Sequence, residues 1–182
     1  QPTRAINFDN VRVPVENRLG EEGQGFAIAM DGLDGGRINI ATCSVGTAQK
    51  AIIDATEYTQ QRNQFGNSIA DFQATQFSLA DMLTELVAAR QMVRLAAHKL
   101  DIKDGQAGTY CAMAKRFATD VGFRICNDAL QLFGGYGYLK EYPMERYVRD
   151  TRVHQILEGT NQIMRVIIAR KMLMAGALEV IQ

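Results

Sequence analysis

The sequence predicts an all-α fold: an antiparallel helical bundle of four main helices and a short one, preceded by a short strand-like tail. Three observations predict it. Apolar residues recur at helical spacing through long stretches, only 3 prolines occur in 182 residues, and Gly or Asp-Gly breaks fall between the stretches. At 47% apolar, the chain can bury one real core.

Residues 5–15 alternate loosely through Ile6, Phe8, Val11, Val13 and Val15 around Pro14, which predicts one or two short strands at most. Gly20, Gly23 and Gly25 punctuate a loop, so residues 1–24 read as tail and linker and 25–182 as the helical domain. Residues 26–62 contain no proline and predict a long helix despite Gly32, Gly35, Gly36 and Gly46. After a loop over 63–70, Asp71 is placed to cap a second helix with Leu79, Met82, Leu83, Leu86, Val93, Ala97 and Leu100 on one face. Asp104-Gly105 breaks the chain, and a third helix carries Tyr110, Ala114, Phe117, Val121, Ile125 and Leu132 as far as Gly134-Gly135. Pro143 opens a short helix over 143–150, and Thr160 caps a last one with Ile163, Val166, Ile167 and Met174 on its buried side.

Lys plus Arg and Asp plus Glu stand at 20 each, so no net field draws nucleic acid or an anionic membrane surface. No apolar run approaches the ~20 residues of a membrane span. The start, Gln1-Pro2-Thr3-Arg4, lacks the apolar stretch of a signal peptide. Cys43, Cys111 and Cys126 are odd in number, far apart and set among apolar residues, which predicts reduced, buried packing residues in a reducing compartment. His98 reads as a packing or surface residue and His154 has no ligand partner at metal spacing, so no metal is expected. The methionines read as gap-fillers of core or interface.

Three segments carry candidate chemistry. In Arg62-Asn63-Gln64-Phe65-Gly66, an arginine at a helix end can pair with a phosphate or simply cap the helix. In Gln131-Leu132-Phe133-Gly134-Gly135-Tyr136-Gly137-Tyr138, paired glycines can open backbone amides to a ligand or merely end a helix. In the third, Glu158 stands before Gly159 and just ahead of a helix start. The helix dipole favours its charged form and burial against an apolar ligand opposes it, a competition that can poise a general base. The residues alone leave open whether Glu158 is such a base or a carboxylate supporting the helix end.

Together, in this order and spacing, the segments resemble the acyl-CoA dehydrogenase family. They match its R-x-x-F-G, its Q-x-x-G-G-x-G-[FY] and its R-D-x-[RK]-x-x-x-I-x-E-G-T-x-Q-I-x-R, the last from Arg149 to Arg165. The resemblance covers essentially the whole chain, and Val153-His154-Gln155-Ile156-Leu157-Glu158 is most similar to the branched short-chain members.

The resemblance implies that Glu158 removes the α-proton of an acyl-CoA thioester while the β-hydrogen leaves as hydride to FAD, giving a trans-2-enoyl-CoA. Some relatives carry their base directly before the arginine matched by Arg37; Gly36 stands there, which favours Glu158. Asp34, Arg37, Gly159 and Arg170 match positions that meet the acyl-CoA. Arg62, Gln64, Phe65, Phe72, Gln73, Gln131, Leu132, Phe133, Gly134, Gly135, Thr160, Asn161 and Gln162 match positions that hold FAD. The resemblance further implies a homo-oligomer, a dimer of dimers with the cofactor bridging subunits, electron-transfer flavoprotein as electron acceptor, and a mitochondrial matrix or bacterial cytoplasmic location. It makes residues 1–24 the end of a preceding β-domain, and a chain lacking that domain is expected to turn over weakly or not at all. Two other readings stay open: part of an acyl-CoA oxidase, and a non-catalytic oligomerising helical bundle.

Overall fold

The computed structural model describes residues 4–181; the start at Gln1, Pro2 and Thr3 lies outside the described residues. The helices are α1 (Gly25–Gln61), α2 (Gln73–Asp101), α3 (Ala107–Phe133), α4 (Met144–His154), α5 (Asn161–Ala175) and α6 (Ala177–Ile181). The all-α bundle expected from periodicity is the observed fold.

The core is the α1, α2 and α3 layer. Ala41, Ala48, Ala51 and Ala55 of α1 and Ala114, Ala118 and Ala129 of α3 are all fully buried. Small side chains along both helices let their axes approach closely. Met82, Leu86 and Val93 close the layer from α2, while Leu83, expected on the same face, is 54% exposed. Helix α4 packs on α3 and α1, with Met144 and Thr151 buried, and runs to His154 rather than stopping at 150.

Several local expectations are corrected. The tail forms no strand among its described residues. It holds only a 3₁₀ turn, Val15–Asn17, and leaves Ile6 and Phe8 more than 70% exposed, because no neighbouring strand pairs its backbone. The 63–70 loop contains a two-residue hairpin, β1 (Asn63–Gln64) against β2 (Asn67–Ser68). Asp71 does not cap α2: it ends a 3₁₀ turn, Ile69–Asp71, whose cap is Ser68, and Phe72 precedes α2. On α5, Ile163 and Val166 are 51% and 40% exposed and Met174 is 87% exposed, whereas Asn161 and Met164 are buried. A buried polar network selects that face instead. Cys111 and Cys126 are buried free thiols, as expected, but Cys43 is exposed. Burial pushes the Cys111 thiol up to about 11 and the Cys126 thiol up to about 12, so both stay protonated at neutral pH.

Candidate active site

Glu158 lies in the short turn between α4 and α5. Helix α4 ends at His154, whose buried ring meets the Ser44 hydroxyl of α1 at 2.8 Å, and burial lowers its pKa. Helix α5 begins at the predicted cap: the Thr160 side chain accepts from the Ile163 N–H at 3.3 Å. Between them the backbone turns left-handed at two successive residues, Glu158 with φ 57° and Gly159 with φ 87°. Gly159 adopts this freely, while for glutamate it costs about 1–2 kcal/mol, so surrounding contacts must hold it there.

That turn lays the Glu158 carboxylate directly over Gly36 of α1. A Cβ at Gly36 would run into Glu158 Oε2 and stand 2.9 Å from Cδ. The position where some relatives carry an alternative base is thus a glycine whose open space the Glu158 carboxylate fills. Glu158 is partly buried, and among the described residues its carboxylate has no ion-pair partner and its backbone N–H no acceptor. Beside Gly36 on α1, Arg37 Nη1 donates to Asp34 Oδ1 at 2.6 Å, and Arg37 is buried with its Nε unpartnered. Asp34, Arg37, Gly159 and Glu158 therefore gather at one end of the bundle. Arg170 is exposed farther along α5.

Sequence reasoning missed the residue beneath this turn. Lys115 of α3 is fully buried and donates from Nζ to the Gly159 carbonyl at 2.8 Å and to Asn161 Oδ1 at 2.8 Å. Burial pulls its pKa down to about 8; Asp120 and Glu158 resist that shift and Arg37 adds to it. Asn161 completes the network, its Nδ2 donating to Asp120 Oδ1 at 2.7 Å and to Thr119 Oγ1 at 2.9 Å. Asp120 also accepts from Gln155 and Arg165. Asn161 was expected on the cofactor, but its side chain is spent inside the chain and supports the turn instead. The signal available in the sequence was a lysine one turn from Cys111 and one turn from Thr119, on the buried face of α3.

The other two motifs meet at the far end of α1. A cavity of about 520 Å³ is lined by Arg62, Gln64, Gln131, Leu132, Phe133, Gly134 and Gly135, with Tyr58 and Tyr136 beside them. Phe133 is buried and stacks on Tyr58 at 4.1 Å, so it forms wall rather than an open contact. The Arg62 guanidinium sits 5.6 Å over the Tyr136 ring and has no carboxylate partner among the described residues. Phe65, at φ 53°, is 91% exposed and packs edge-on with Phe72 at 6.4 Å; Gln73 is also exposed. Thr160 and Gln162 stay at the Glu158 end. Counting α1 residues at 1.5 Å each puts Arg62 about 39 Å from Gly36, so the two groups of candidate residues lie far apart on this chain. The described residues contain no cluster of side chains able to hold a metal ion.

A model of the acyl-CoA dehydrogenase C-terminal domain matches residues 23–173, which include both sites. The chain belongs to the acyl-CoA dehydrogenase family. Isobutyryl-CoA dehydrogenase, mitochondrial, of Dictyostelium discoideum is 56% identical over 172 residues, 94% of this chain and 41% of that protein. The solved structure of butyryl-CoA dehydrogenase from Megasphaera elsdenii matches with a TM-score of 0.87 and 47% identity, over 91% of this chain and 43% of that one. The structure of PigA with FAD and proline matches with a TM-score of 0.85 and 30% identity, over 96% of this chain and 44% of that one. This family member therefore spans less than half the length of each of these relatives.

Proposed function

We propose that this chain is the base-bearing domain of an acyl-CoA dehydrogenase, acting on a short branched acyl thioester with Glu158 as the α-proton base. The observation that carries the reading is the Glu158 carboxylate seated over Gly36, unpaired, at a strained turn. A base must approach the proton it takes with its lone pairs uncommitted, and a fixed turn sets that approach. The unpartnered Glu158 N–H is suited to donate a hydrogen bond to the thioester oxygen as negative charge develops there and the α-carbon loses its proton. Gly159 leaves room beside it, and Asp34 and Arg37 are placed to meet the rest of the acyl-CoA. The 56% identity to a relative named for isobutyryl-CoA supports the short branched substrate.

The Arg62 end fits half of an FAD site. An uncommitted guanidinium beside an open cavity with glutamine amides around it suits an anionic diphosphate. When bound, FAD supplies the acceptor for the β-hydrogen and its electron pair. The helix rise puts Arg62 about 39 Å from Gly36, on which the Glu158 carboxylate rests, a separation that favours each chain contributing to two cofactors over one cofactor bridging both ends. Sharing of this kind favours a homo-oligomer, a dimer of dimers by the family resemblance. A similar solved structure described as an electron transferring flavoprotein supports electron-transfer flavoprotein as the next acceptor, and the mitochondrial and bacterial relatives support the mitochondrial matrix or bacterial cytoplasm as location. The exposed apolar side chains of the tail support assigning residues 1–24 to the end of a β-domain.

The test is Glu158→Gln in the FAD-loaded full-length parent, which carries the preceding domains. Acyl-CoA oxidation is expected to fall by about 10²–10⁴-fold with flavin content unchanged. Unchanged turnover rejects Glu158 as the base.

A further inference from the structure

We propose that Lys115 is the positioning residue of this site: its buried ammonium clamps the Glu158-Gly159 turn and so holds the Glu158 carboxylate over Gly36. The inference rests on the reading of Glu158 as the base, and it deepens that reading by naming what aims the base.

The Asn161 N–H closes the mouth of the turn on the Gln155 carbonyl at 3.0 Å, and within that frame few bonds hold its residues. The Leu157 N–H bonds the Val153 carbonyl at 3.0 Å on one side, and the Thr160 hydroxyl caps α5 on the other. Between them, among the described residues, the Lys115 bond to the Gly159 carbonyl is the hydrogen bond that ties residues 158 and 159. Yet these are the two residues with positive φ, one of them a glutamate that relaxes to right-handed backbone when released. Rotating that turn would lift the carboxylate off Gly36, where the fit is too close for even a Cβ.

Lys115 itself has no structural need to be charged and buried at this point. A fully buried ammonium is unfavourable unless its donors are met, and an apolar residue of similar volume would pack the α3 face without that cost. What the ammonium provides is two bonds of 2.8 Å to two different positions, the Gly159 carbonyl and the Asn161 side chain. The first lies in the turn and the second at the first residue of α5, so Lys115 fixes the turn relative to the helix it leads into. Asn161 is fixed in turn by Thr119 and Asp120 on α3, about one and about one and a half turns along from Lys115. The turn is therefore referenced to α3, and α3 is the helix packed most extensively against α1, which carries Gly36. Lys115 closes that path.

The experiment compares the FAD-loaded protein with Lys115→Met and Lys115→Gln, following amide hydrogen exchange and acyl-CoA oxidation. In Lys115→Met, the amides of residues 158–160 are expected to exchange about tenfold faster or more while those of α1 keep their protection. The same variant is expected to lose about tenfold or more in kcat, with flavin content kept and KM within about threefold, because a displaced base weakens the step more than binding. Lys115→Gln retains an N–H donor and is expected to fall between parent and Lys115→Met in both readouts, a graded rescue that a purely packing role does not give. Unchanged exchange at 158–160 in Lys115→Met overturns the clamp. Faster exchange with full turnover upholds the clamp and rejects Glu158 as the base, which separates the two readings. Loss of helicity in both variants assigns Lys115 to the fold at large and overturns the proposal.

Discussion

The two ends of α1 are built on opposite plans. At the Glu158 end, polar groups are buried and satisfied by one another: Lys115, Asn161, Thr119 and Asp120 form a closed network under a strained turn. At the Arg62 end, aromatic rings pack beneath an open cavity, and Arg62, Gln64 and Gln131 face it without a carboxylate between them. A buried network specifies one geometry, which suits proton transfer. An open cationic edge suits a ligand whose other side is held elsewhere. The chain thus finishes the geometry of its proposed base internally and leaves its proposed flavin contacts to be completed by something else.

The sharpest way to break this contrast is pH, because Lys115 at one end and Tyr58 at the other respond with opposite sign. Lys115 has a folded pKa of about 8 against an ordinary value of 10.5, so between those values the unfolded chain binds the proton that the folded chain has lost. Stability assigned to Lys115 therefore rises with pH across that window, by up to about 3 kcal/mol. At the other end, burial raises the Tyr58 pKa above 10.0, so the unfolded phenol ionises first and that contribution is lost as pH rises past 10. Buried Cys111 and Cys126 act in the same direction as Tyr58. Denaturant unfolding of parent and Lys115→Met isolates the lysine: the difference between them is expected to shift in the parent's favour from pH 8 to 10.5. A flat difference would show that the buried ammonium pays no such penalty.

Gly36→Ala tests the seat of the base. The new methyl meets the end of a flexible carboxylate, not backbone, so Glu158 moves aside and the fold survives. Stability is expected to stay within about 0.5 kcal/mol, as helix propensity gains what the contact loses. Turnover is expected to fall about a hundredfold, since misplacing a catalytic group by about 1 Å has that effect. Full turnover in this variant removes the Gly36 seat from the account. Arg62→Ala probes the opposite end: flavin affinity is expected to weaken about tenfold through loss of one exposed charge contact, with exchange at residues 158–160 unchanged. Equilibrium dialysis of the cofactor measures it.

What the sequence made legible follows the same division. Helix spans, the Thr160 cap and the glycine stop after Phe133 were readable because periodicity and capping are local. The Arg62 and Gly134 segments converged on one cavity, and Glu158 was singled out from its place before a helix start. Lys115 was not found, because its burial depends on a turn more than forty residues away, and nothing local marks a lysine as interior. The buried side of α5 was misjudged for a related reason: Asn161 turns inward to meet Lys115 and Asp120, which rotates Ile163 and Val166 outward. The apolar neighbours of Cys43 point to the core, yet it is its neighbour Ser44 that faces inward, against His154 of α4 and Gly122 of α3, and Cys43 is left exposed. The tail alternates like a strand and forms none, since alternation specifies a strand only where a partner edge exists.

The smallest expected effect compares two caps. Thr160 accepts the Ile163 N–H at 3.3 Å at the Glu158 end, and Ser68 accepts the Ala70 N–H at 3.3 Å near Arg62 while donating to the Thr59 carbonyl at 2.9 Å. Removing a cap hydroxyl costs about 0.5–2 kcal/mol, and the long acceptor distances favour the lower half of that range, so Thr160→Ala and Ser68→Ala are each expected to lose about 1 kcal/mol. Their consequences should differ in place. Thr160 borders the turn that carries the base, so its loss loosens Glu158, and exchange at residues 158–160 is expected to quicken along with the drop in stability. Ser68 ties the hairpin after Arg62 to the end of α1, so its loss is felt there and leaves the Glu158 turn as protected as before. Urea unfolding gives the two stabilities, and hydrogen exchange gives their location. Equal quickening at residues 158–160 in both variants would show that the ends of α1 are coupled, and the separation drawn between a finished base and an open cofactor edge would fail.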